Sequence, residues 1–432
     1  MAEAEQAAKS KAWRPLLEGD EAEWAWKAID AVVDELRHTA QVLPHVGTGS
    51  CASGSAGLSL LFTYIAMARD DSDAADVAVE YYEHATEALR TTVMSAALYS
   101  GFSGIAWAHE HLSHRLFESE DEVEEVTAID EALLALLDTS PWTLDYDLIS
   151  GLAGFGIYAL EGSTRRGPRQ CLELVVTRLE ELAIAKPGGR TWWTSPDLLP
   201  DHQREIYHEG HVNLGLAHGV PAAISILGRA TAAGIAEEVA HPLCVDGLRW
   251  LMDQRFEAGH GAHFPHVAAD GKPRGASRLA WCYGDPGVVI ALMSTAISLD
   301  DPELWAQVLD MARATAQRPD ATSAVRDAGL CHGSAGVAHL FHRMYRATGE
   351  PALAKAARHW FRRTLEDHWQ PGEGVGGFRA WMGSMQPGES GWESHSGFLT
   401  GSAGVALALL AAVTDIEPAW DRLLLADLPV RH

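Results

Sequence analysis

A short glycine-containing pattern returns seven times along this chain of 432 residues and constrains the fold more than any other feature. Most copies place small residues around two glycines spaced three apart, as in "SGSAGLSLL" and "CHGSAGVAHLF". In the fourth copy Ala222 takes the place of the second glycine. The first glycines of the seven copies are Gly54, Gly101, Gly151, Gly219, Gly284, Gly333 and Gly401. Such regular return is typical of a repeated structural unit and not of unrelated turns.

Each copy is followed by an apolar helical pattern and preceded by a more charged one. After the second glycine of the first copy, apolar residues recur at i, i+3, i+4 and i+7, as expected for a helix: Leu58, Leu61, Phe62 and Ile65. Apolar helices are buried, whereas amphipathic helices face water on one side. The sequence therefore predicts an all-α fold, a seven-fold α/α toroid with inner and outer rings of seven helices, as a single domain over 1–432.

The glycines also indicate where a functional site belongs. They let the backbones crowd together at one end of the ring, where the inner helices begin. That end collects the helix N-termini with their free N–H groups, so we expect the site there.

Three stretches interrupt the repeat. Residues 186–214 and 259–277 are rich in glycine, proline and aromatic residues, and we interpret them as irregular or β-containing insertions that form a cap over the mouth of the ring. Residues 370–396 form a third irregular loop. Loops of this length in a compact domain are usually functional or disordered. The outer helix between the fourth and fifth copies is expected at 247–256.

The composition argues against a nucleic-acid-binding protein and against a membrane protein. The chain has 33 Lys and Arg against 59 Asp and Glu, a net charge of −26, which argues against nucleic acid or an anionic membrane surface as the main partner. It shows no apolar signal core and no apolar run of membrane-spanning length. We therefore expect a cytoplasmic protein, in which five scattered cysteines are reduced thiols and a cluster of Cys and His indicates a metal.

Three neighbouring copies carry chemically active residues before their first glycine. These are His218 in the fourth copy, Cys282 and Tyr283 in the fifth, and Cys331 and His332 in the sixth. If the ring closes, they meet at one end. Cys282, Cys331 and His332 make a Cys₂His set that suits one Zn²⁺ and leaves the fourth tetrahedral position open, as a catalytic zinc requires.

Structural explanations compete with these assignments. Buried cysteine is common as a small hydrophobic residue, and a Cys–His neighbour pair can arise by chance. An H-x₂-H-x₂-H pattern at His260, His263 and His266 could hold a second metal, although it lies in an insertion away from the repeat. The remaining cysteines fit no ligand pattern, and we interpret them as structural thiols: Cys51, Cys171 and Cys244.

The motifs "WCYGDPG", "LCHGSAG" and "NLGLAHGVPA" resemble the zinc and active-site motifs of the lanthionine synthetase C-like family, the lanthipeptide cyclases. The resemblance covers nearly the whole chain, and "WCYG" resembles the stand-alone bacterial cyclases. It implies a zinc enzyme that adds peptide cysteine thiolates to dehydroalanine or dehydrobutyrine. The products are lanthionine and methyllanthionine thioether rings in a dehydrated ribosomal precursor peptide.

The resemblance also implies roles for individual residues. His218 would protonate the enolate or take the thiol proton, and Arg278 would stabilise the developing oxyanion. Asp147, in "YDLISG", would orient His218 or Arg278, and Tyr283 would be a hydrogen-bonding partner. Two of these residues could instead have a purely structural role. Asp147 could stabilise a helix N-terminus, and Arg278 could form an ion pair with a surface carboxylate. Family members often work with a dehydratase and an exporter, which implies a peripheral position at the membrane through such a complex.

Three other functions stay open at this point. A relative with the same zinc site could add glutathione to dehydrated residues. A zinc-containing scaffold subunit without activity would need a fourth protein ligand on the zinc. A third possibility is a glycosidase or a prenyltransferase, since both occur on similar helical barrels. A glycosidase would use paired carboxylates, and only Asp147 and Asp285 lie near the repeated motifs.

Overall fold

The computed structural model describes residues 12–42, 49–113, 115–116, 124–257, 261–269, 275–382 and 391–431. Two sets of helices alternate along this part of the chain. The outer set is α1 (Gly19–Val42), α3 (Ser72–Thr91), α5 (Glu124–Leu137), α7 (Arg166–Leu182), α10 (Glu237–Asp253), α12 (Pro302–Ala316) and α14 (Pro351–Asp367). The inner set is α2 (Ser55–Arg69), α4 (Phe102–Ser113), α6 (Leu152–Glu161), α9 (Val220–Ala232), α11 (Asp285–Ser298), α13 (Ser334–Thr348) and α15 (Ser402–Val413). A short helix, α8 (Asp201–Arg204), lies in the first insertion.

The inner helices form a closed ring. Each contacts the next, and α15 closes the circle by contacting α2. In α15 every residue from Ser402 to Ala412 is buried, whereas α7 buries only one stripe of its surface. The segment before α1 also reaches α15, because the N–H groups of Leu16 and Leu17 donate to the carbonyl of Ala412 at 2.8 and 2.9 Å. The prediction of a seven-fold α/α toroid is confirmed.

Main-chain hydrogen bonds link the seven glycine motifs into a circle, which we call the belt. They run between residues two positions before the first glycines, with N···O distances of 2.9–3.4 Å. One link differs, since Leu148 instead of Ile149 donates to Ala217. The belt consists of Ala52, Tyr99, Leu148–Ile149, Ala217, Cys282, Cys331 and Leu399. Equivalent positions of successive copies are therefore neighbours in space.

The first N–H groups of five inner helices are not free, contrary to the sequence-based expectation. The first residue of each of these helices donates to the carbonyl of the residue seven positions earlier, as Ser334 does to Asp327 at 2.8 Å. The same bond occurs at Phe102, Leu152, Asp285 and Ser402. The loop before each helix thus satisfies the helix terminus internally. Chemistry at this end of the ring must come from side chains.

The second glycine of the motif is required by close packing of backbone on backbone. A Cβ atom at this position would lie 1.8–2.6 Å from the carbonyl oxygen of the residue six earlier. This holds for Gly57, Gly104, Gly154, Gly287, Gly336 and Gly404. No side chain fits there, so the tight loop depends on glycine.

Short strands occur in the interruptions of the repeat. Strands β1 (Ile184–Lys186) and β2 (Gly189–Thr191) form a hairpin. Strand β3 (Val212–Asn213) pairs antiparallel with β4 (Val267–Ala268) and so joins the two insertions. Strand β5 (Ala380–Trp381) pairs with β6 (Trp392–Glu393) in the third loop. Three 3₁₀ turns complete the elements, at Pro196–Leu198, Asp320–Thr322 and Ala419–Leu424.

The insertions and the outer ring differ in how far the structure tests the sequence-based expectations. That the insertions cap the ring, within a single domain, stays a prediction, and residues 259–260 and 270–274 lie outside the described residues. Helix α10 begins at Glu237, ten residues before the expected start, with Pro242 inside it. Within the described residues, no helix is both long enough and apolar enough to cross a membrane.

We expect Gly336→Ala to lower the free energy of unfolding by about 2 kcal/mol, because the new Cβ would lie 2.0 Å from the carbonyl oxygen of Leu330. Gly228→Ala is the matched control, since its Cβ would meet only ordinary contacts at 3.4 Å and beyond within α9. That variant should be neutral or stabilised by up to about 1 kcal/mol. Urea unfolding followed by circular dichroism measures both, and equal effects would contradict the close-packing explanation.

Candidate metal centre and active site

The belt brings two cysteines of neighbouring motifs together. The N–H of Cys282 donates to the carbonyl of Cys331 at 3.2 Å, so the two residues lie side by side. Their Sγ atoms and a ring nitrogen of His332 all lie within 4.8 Å of one another. Within the described ranges, this is the single group of three or more His, Cys, Asp or Glu side chains close enough to hold a metal ion.

The thiol of Cys282 differs electrostatically from the cysteines outside the cluster. The hydrogen bond from Cys331 holds the pKa of Cys282 well below its ordinary value against the effect of burial, and His332 and Arg278 lower it further. By contrast, burial raises the pKa to about 12 at each of Cys51, Cys171 and Cys244. The cluster therefore favours a thiolate, as a metal ligand must be. Two sulfur donors and one imidazole, with no fourth protein ligand in the group, fit a zinc site with an open position.

A histidine–carboxylate pair lies directly beside the belt, where His218 follows Ala217 and Asp147 precedes Leu148. His218 Nδ1 and Asp147 Oδ2 are 2.5 Å apart, and the other oxygen of Asp147 accepts the N–H of Ser150 at 2.7 Å. Burial lowers the pKa of His218, but the hydrogen bond and charge of Asp147 outweigh it, so the pKa is raised above its ordinary value. Asp147 thus both stabilises its own loop and contacts His218.

Tyr283 connects this pair to the cluster. Its ring stacks on that of His218, with 5.7 Å between the centroids, and it directly follows Cys282 in the chain. The Nδ2 group of Asn213 donates to the Tyr283 hydroxyl at 3.0 Å. Asn213 thereby holds the hydroxyl end of the ring that stacks on His218.

Arg278 lies beside Cys282 and lines a cavity. Its Nη2 group is 3.5 Å from Cys282 Sγ, and no carboxylate among the described residues forms an ion pair with it. The cavity has a volume of about 680 Å³ and is lined by both Arg278 and Tyr283, with His266 and Arg318 further along its wall. A cationic group thus faces open space beside the thiols.

Asp285 is a structural carboxylate and not half of a catalytic acid pair. It is buried and accepts the N–H groups of His263 and Phe264 at 2.9 and 3.2 Å and the hydroxyl of Ser277 at 3.0 Å. These bonds fasten the second insertion to the start of α11. His263 Nε2 itself faces the carbonyl of Met311 at 3.0 Å. His260 lies outside the described residues, so a second metal site in this insertion stays untested.

The structure thus brings together all seven candidate site residues selected from the sequence: Asp147, His218, Arg278, Cys282, Tyr283, Cys331 and His332. Two further residues contact this group. Asn213 contacts Tyr283, and Asp327 lies 3.7 Å from His332. Both lie six positions before the first glycine of their motifs, as Arg278 does in the fifth copy. The equivalent position in the repeat was therefore the clue that could have identified them.

We expect Asp147→Asn to lower the pKa of His218 below its value in the unmodified protein. The carboxylate stabilises the imidazolium, and a neutral amide does not, so the proton is lost at lower pH. An NMR titration of ring-labelled histidine, assigned with His218→Asn, measures this pKa. Asp320→Asn is the control, because that carboxylate contacts His359 on the outer surface. An unchanged His218 titration in Asp147→Asn would contradict the proposed electrostatic coupling.

Comparisons with known proteins agree with this geometry. The model of the lanthionine synthetase C-like protein family matches residues 45–425. Nisin biosynthesis protein NisC from Lactococcus lactis subsp. lactis is 25% identical over 289 residues, which cover 61% of this chain and 66%, just under two thirds, of that protein. A solved nisin cyclase shares the fold, with a TM-score of 0.73 at 19% identity over 91% of this chain and 96% of that chain. Because the family model spans most of its length, this chain belongs to the lanthionine synthetase C-like family.

Proposed function

We propose that this protein is a zinc-dependent lanthipeptide cyclase, a lanthionine synthetase that forms thioether rings in a dehydrated ribosomal precursor peptide. The observation that carries the proposal is the Cys₂His cluster, with its ligand atoms within 4.8 Å and with His218, Tyr283 and Arg278 grouped around it. Family membership and the likeness to NisC support the same reaction.

Cys282, Cys331 and His332 would hold one zinc ion. A bound zinc supplies a Lewis acid that lowers the pKa of a peptide cysteine thiol, so that the thiolate is available at neutral pH. With two protein thiolates as ligands, a bound zinc would leave electron density on the peptide sulfur. Cys331 and His332 are partly exposed, which supports access for a substrate.

Arg278 would serve the addition step. The substrate sulfur forms a bond to the β-carbon of dehydroalanine or dehydrobutyrine, and the electron pair of the Cα=Cβ bond moves toward the carbonyl oxygen. A developing negative charge on that oxygen needs a preorganised cation or donor. The Arg278 guanidinium, unpaired with any described carboxylate and facing the cavity, meets this need.

His218 would complete the reaction as the general acid. A proton moves from the imidazolium to the α-carbon, and the proton released by the substrate thiol restores the balance, so cyclisation leaves the mass unchanged. Asp147 raises the pKa of His218 and keeps the imidazolium present to higher pH. Activity should therefore fall as the pH rises through that raised pKa. Tyr283 holds the ring of His218 by stacking.

The cavity of about 680 Å³ would receive the peptide segment around the dehydrated residue. The joined insertions at 186–214 and 259–277 would cap this end of the ring, and the second of them contributes Ser277 and His266 to the cavity wall. The function implies two further partners, a dehydratase that prepares the peptide and an exporter that removes the product. Association with these partners would place the enzyme in the cytoplasm or peripherally at the membrane.

The test is the loss of free thiols from dehydrated precursor peptides. Because the mass does not change on cyclisation, peptides are treated with a thiol-alkylating reagent and analysed by mass spectrometry. We expect zinc-loaded protein to abolish alkylation and Cys331→Ala to leave it complete, with His218→Asn slowed about 100-fold or more.

Two controls separate the alternatives. Cys171→Ser removes a buried thiol outside the cluster and should leave activity intact. Added glutathione should not become attached to the peptide, and a glutathione adduct would instead favour the intermolecular thiol transferase. Full alkylation of every peptide with zinc-loaded protein would contradict the cyclase and favour a scaffold subunit.

A further inference from the structure

Asp327 is a buried carboxylate directly behind the metal cluster. It lies four positions before Cys331 and has no solvent exposure. Its Oδ2 atom accepts the N–H of Trp381 at 2.8 Å and lies 3.7 Å from His332 Nε2. Its Oδ1 atom is buried without a hydrogen-bond partner among the described residues and faces Gly333, where a Cβ would lie 2.5 Å away.

Trp381 ties this carboxylate to the histidine through its main chain. Its carbonyl oxygen lies 3.3 Å from His332 Nε2, while its N–H is bonded to Asp327. His332, Trp381 and Asp327 thus form a closed arrangement at one edge of the cluster. Because Nε2 faces this arrangement, Nδ1 is the nitrogen left for the metal.

We propose that Asp327 is a positioning residue for the metal ligand His332. The carboxylate and the Trp381 carbonyl keep the proton on Nε2, fix the plane of the ring and direct Nδ1 toward Cys282 and Cys331. The inference rests on the metal site of the proposed function and adds a residue that acts through another.

Physical chemistry favours this role for a buried carboxylate. A negative charge without solvent is costly unless a nearby donor or cation compensates it. The Trp381 N–H reaches only Oδ2 and compensates only part of this charge. The imidazole Nε2 lies 3.7 Å from the same oxygen, so a polarised N–H there adds to the compensation. Such carboxylate–histidine contacts orient a ligand ring and raise its basicity, and their removal weakens metal binding about 10- to 100-fold.

Asp327 also anchors β5 through Trp381, so a purely structural role must be separated from positioning. Asp327→Asn suits this purpose, since the amide oxygen still accepts the Trp381 N–H while the charge is lost. Asp320→Asn is the matched control, because that carboxylate also contacts a histidine, His359 at 2.9 Å, but lies on the outer surface.

The experiment measures zinc affinity by competition with a chromophoric chelator, for a double-mutant cycle of Asp327→Asn and His332→Ala. We expect Asp327→Asn to weaken zinc binding about 10- to 100-fold, with an unchanged thermal unfolding midpoint of the metal-free protein. In the His332→Ala background the same change should have no further effect, because Asp327 acts through that ring. Asp320→Asn should bind zinc as the unmodified protein does.

An equal loss in both backgrounds, or no loss in either, would overturn the proposal. A second measurement needs no variant: ¹⁵N NMR of the zinc-loaded protein should show the His332 proton on Nε2, and a proton on Nδ1 would overturn it. These readouts are independent of the reaction. Zinc-loaded protein that shows the coupling but forms no thioether would overturn the cyclase alone.

Discussion

The belt of main-chain hydrogen bonds is the constraint on which the rest of the molecule depends. It joins the residue two positions before the first glycine of each motif to its equivalent in the next motif, and it closes on itself from Leu399 to Ala52. Helix packing alone would not fix the positions of the loops relative to one another. The belt does so, because it holds neighbouring loops at hydrogen-bonding distance. Two cysteines at equivalent positions of adjacent motifs therefore become neighbours. The first N–H groups of five inner helices bond to their own loops, which leaves the side chains at the belt available for chemistry.

Much of this arrangement could be predicted because it follows from the period of the sequence. Seven copies of one glycine pattern between apolar and amphipathic helical stretches indicate a ring, since neither kind of helix can be buried alone. Once the ring is assumed, Cys282, Cys331 and His332 must converge. His218 and Tyr283 follow from the same position, directly before the first glycine. The repeat thus carried both the fold and the centre of the candidate site.

What could not be predicted depends on contacts between the repeat and its insertions. The role of Trp381 is exerted by its backbone, so no residue pattern indicates it. Asn213 and Asp327 share the motif position of Arg278, which could have pointed to them, but they differ from it in chemistry, so the position alone does not predict what each side chain contacts. Helix α10 begins ten residues before the expected start and includes Pro242, although proline disfavours a helix interior. Free N–H groups at the inner helices were wrongly expected, since the tight loops that satisfy them are not encoded in helical periodicity.

If the belt builds a Cys₂His zinc site, X-ray absorption at the zinc edge should show it, on protein purified without chelators and with its metal content determined. We expect about one zinc per chain with two sulfur neighbours at about 2.3 Å and a nitrogen neighbour at about 2.0–2.1 Å. We also expect one light-atom neighbour that gives way to a third sulfur when a thiol is added. Protein that retains no zinc, or zinc surrounded only by nitrogen and oxygen, would contradict the account and leave the cysteines of the belt as packing residues.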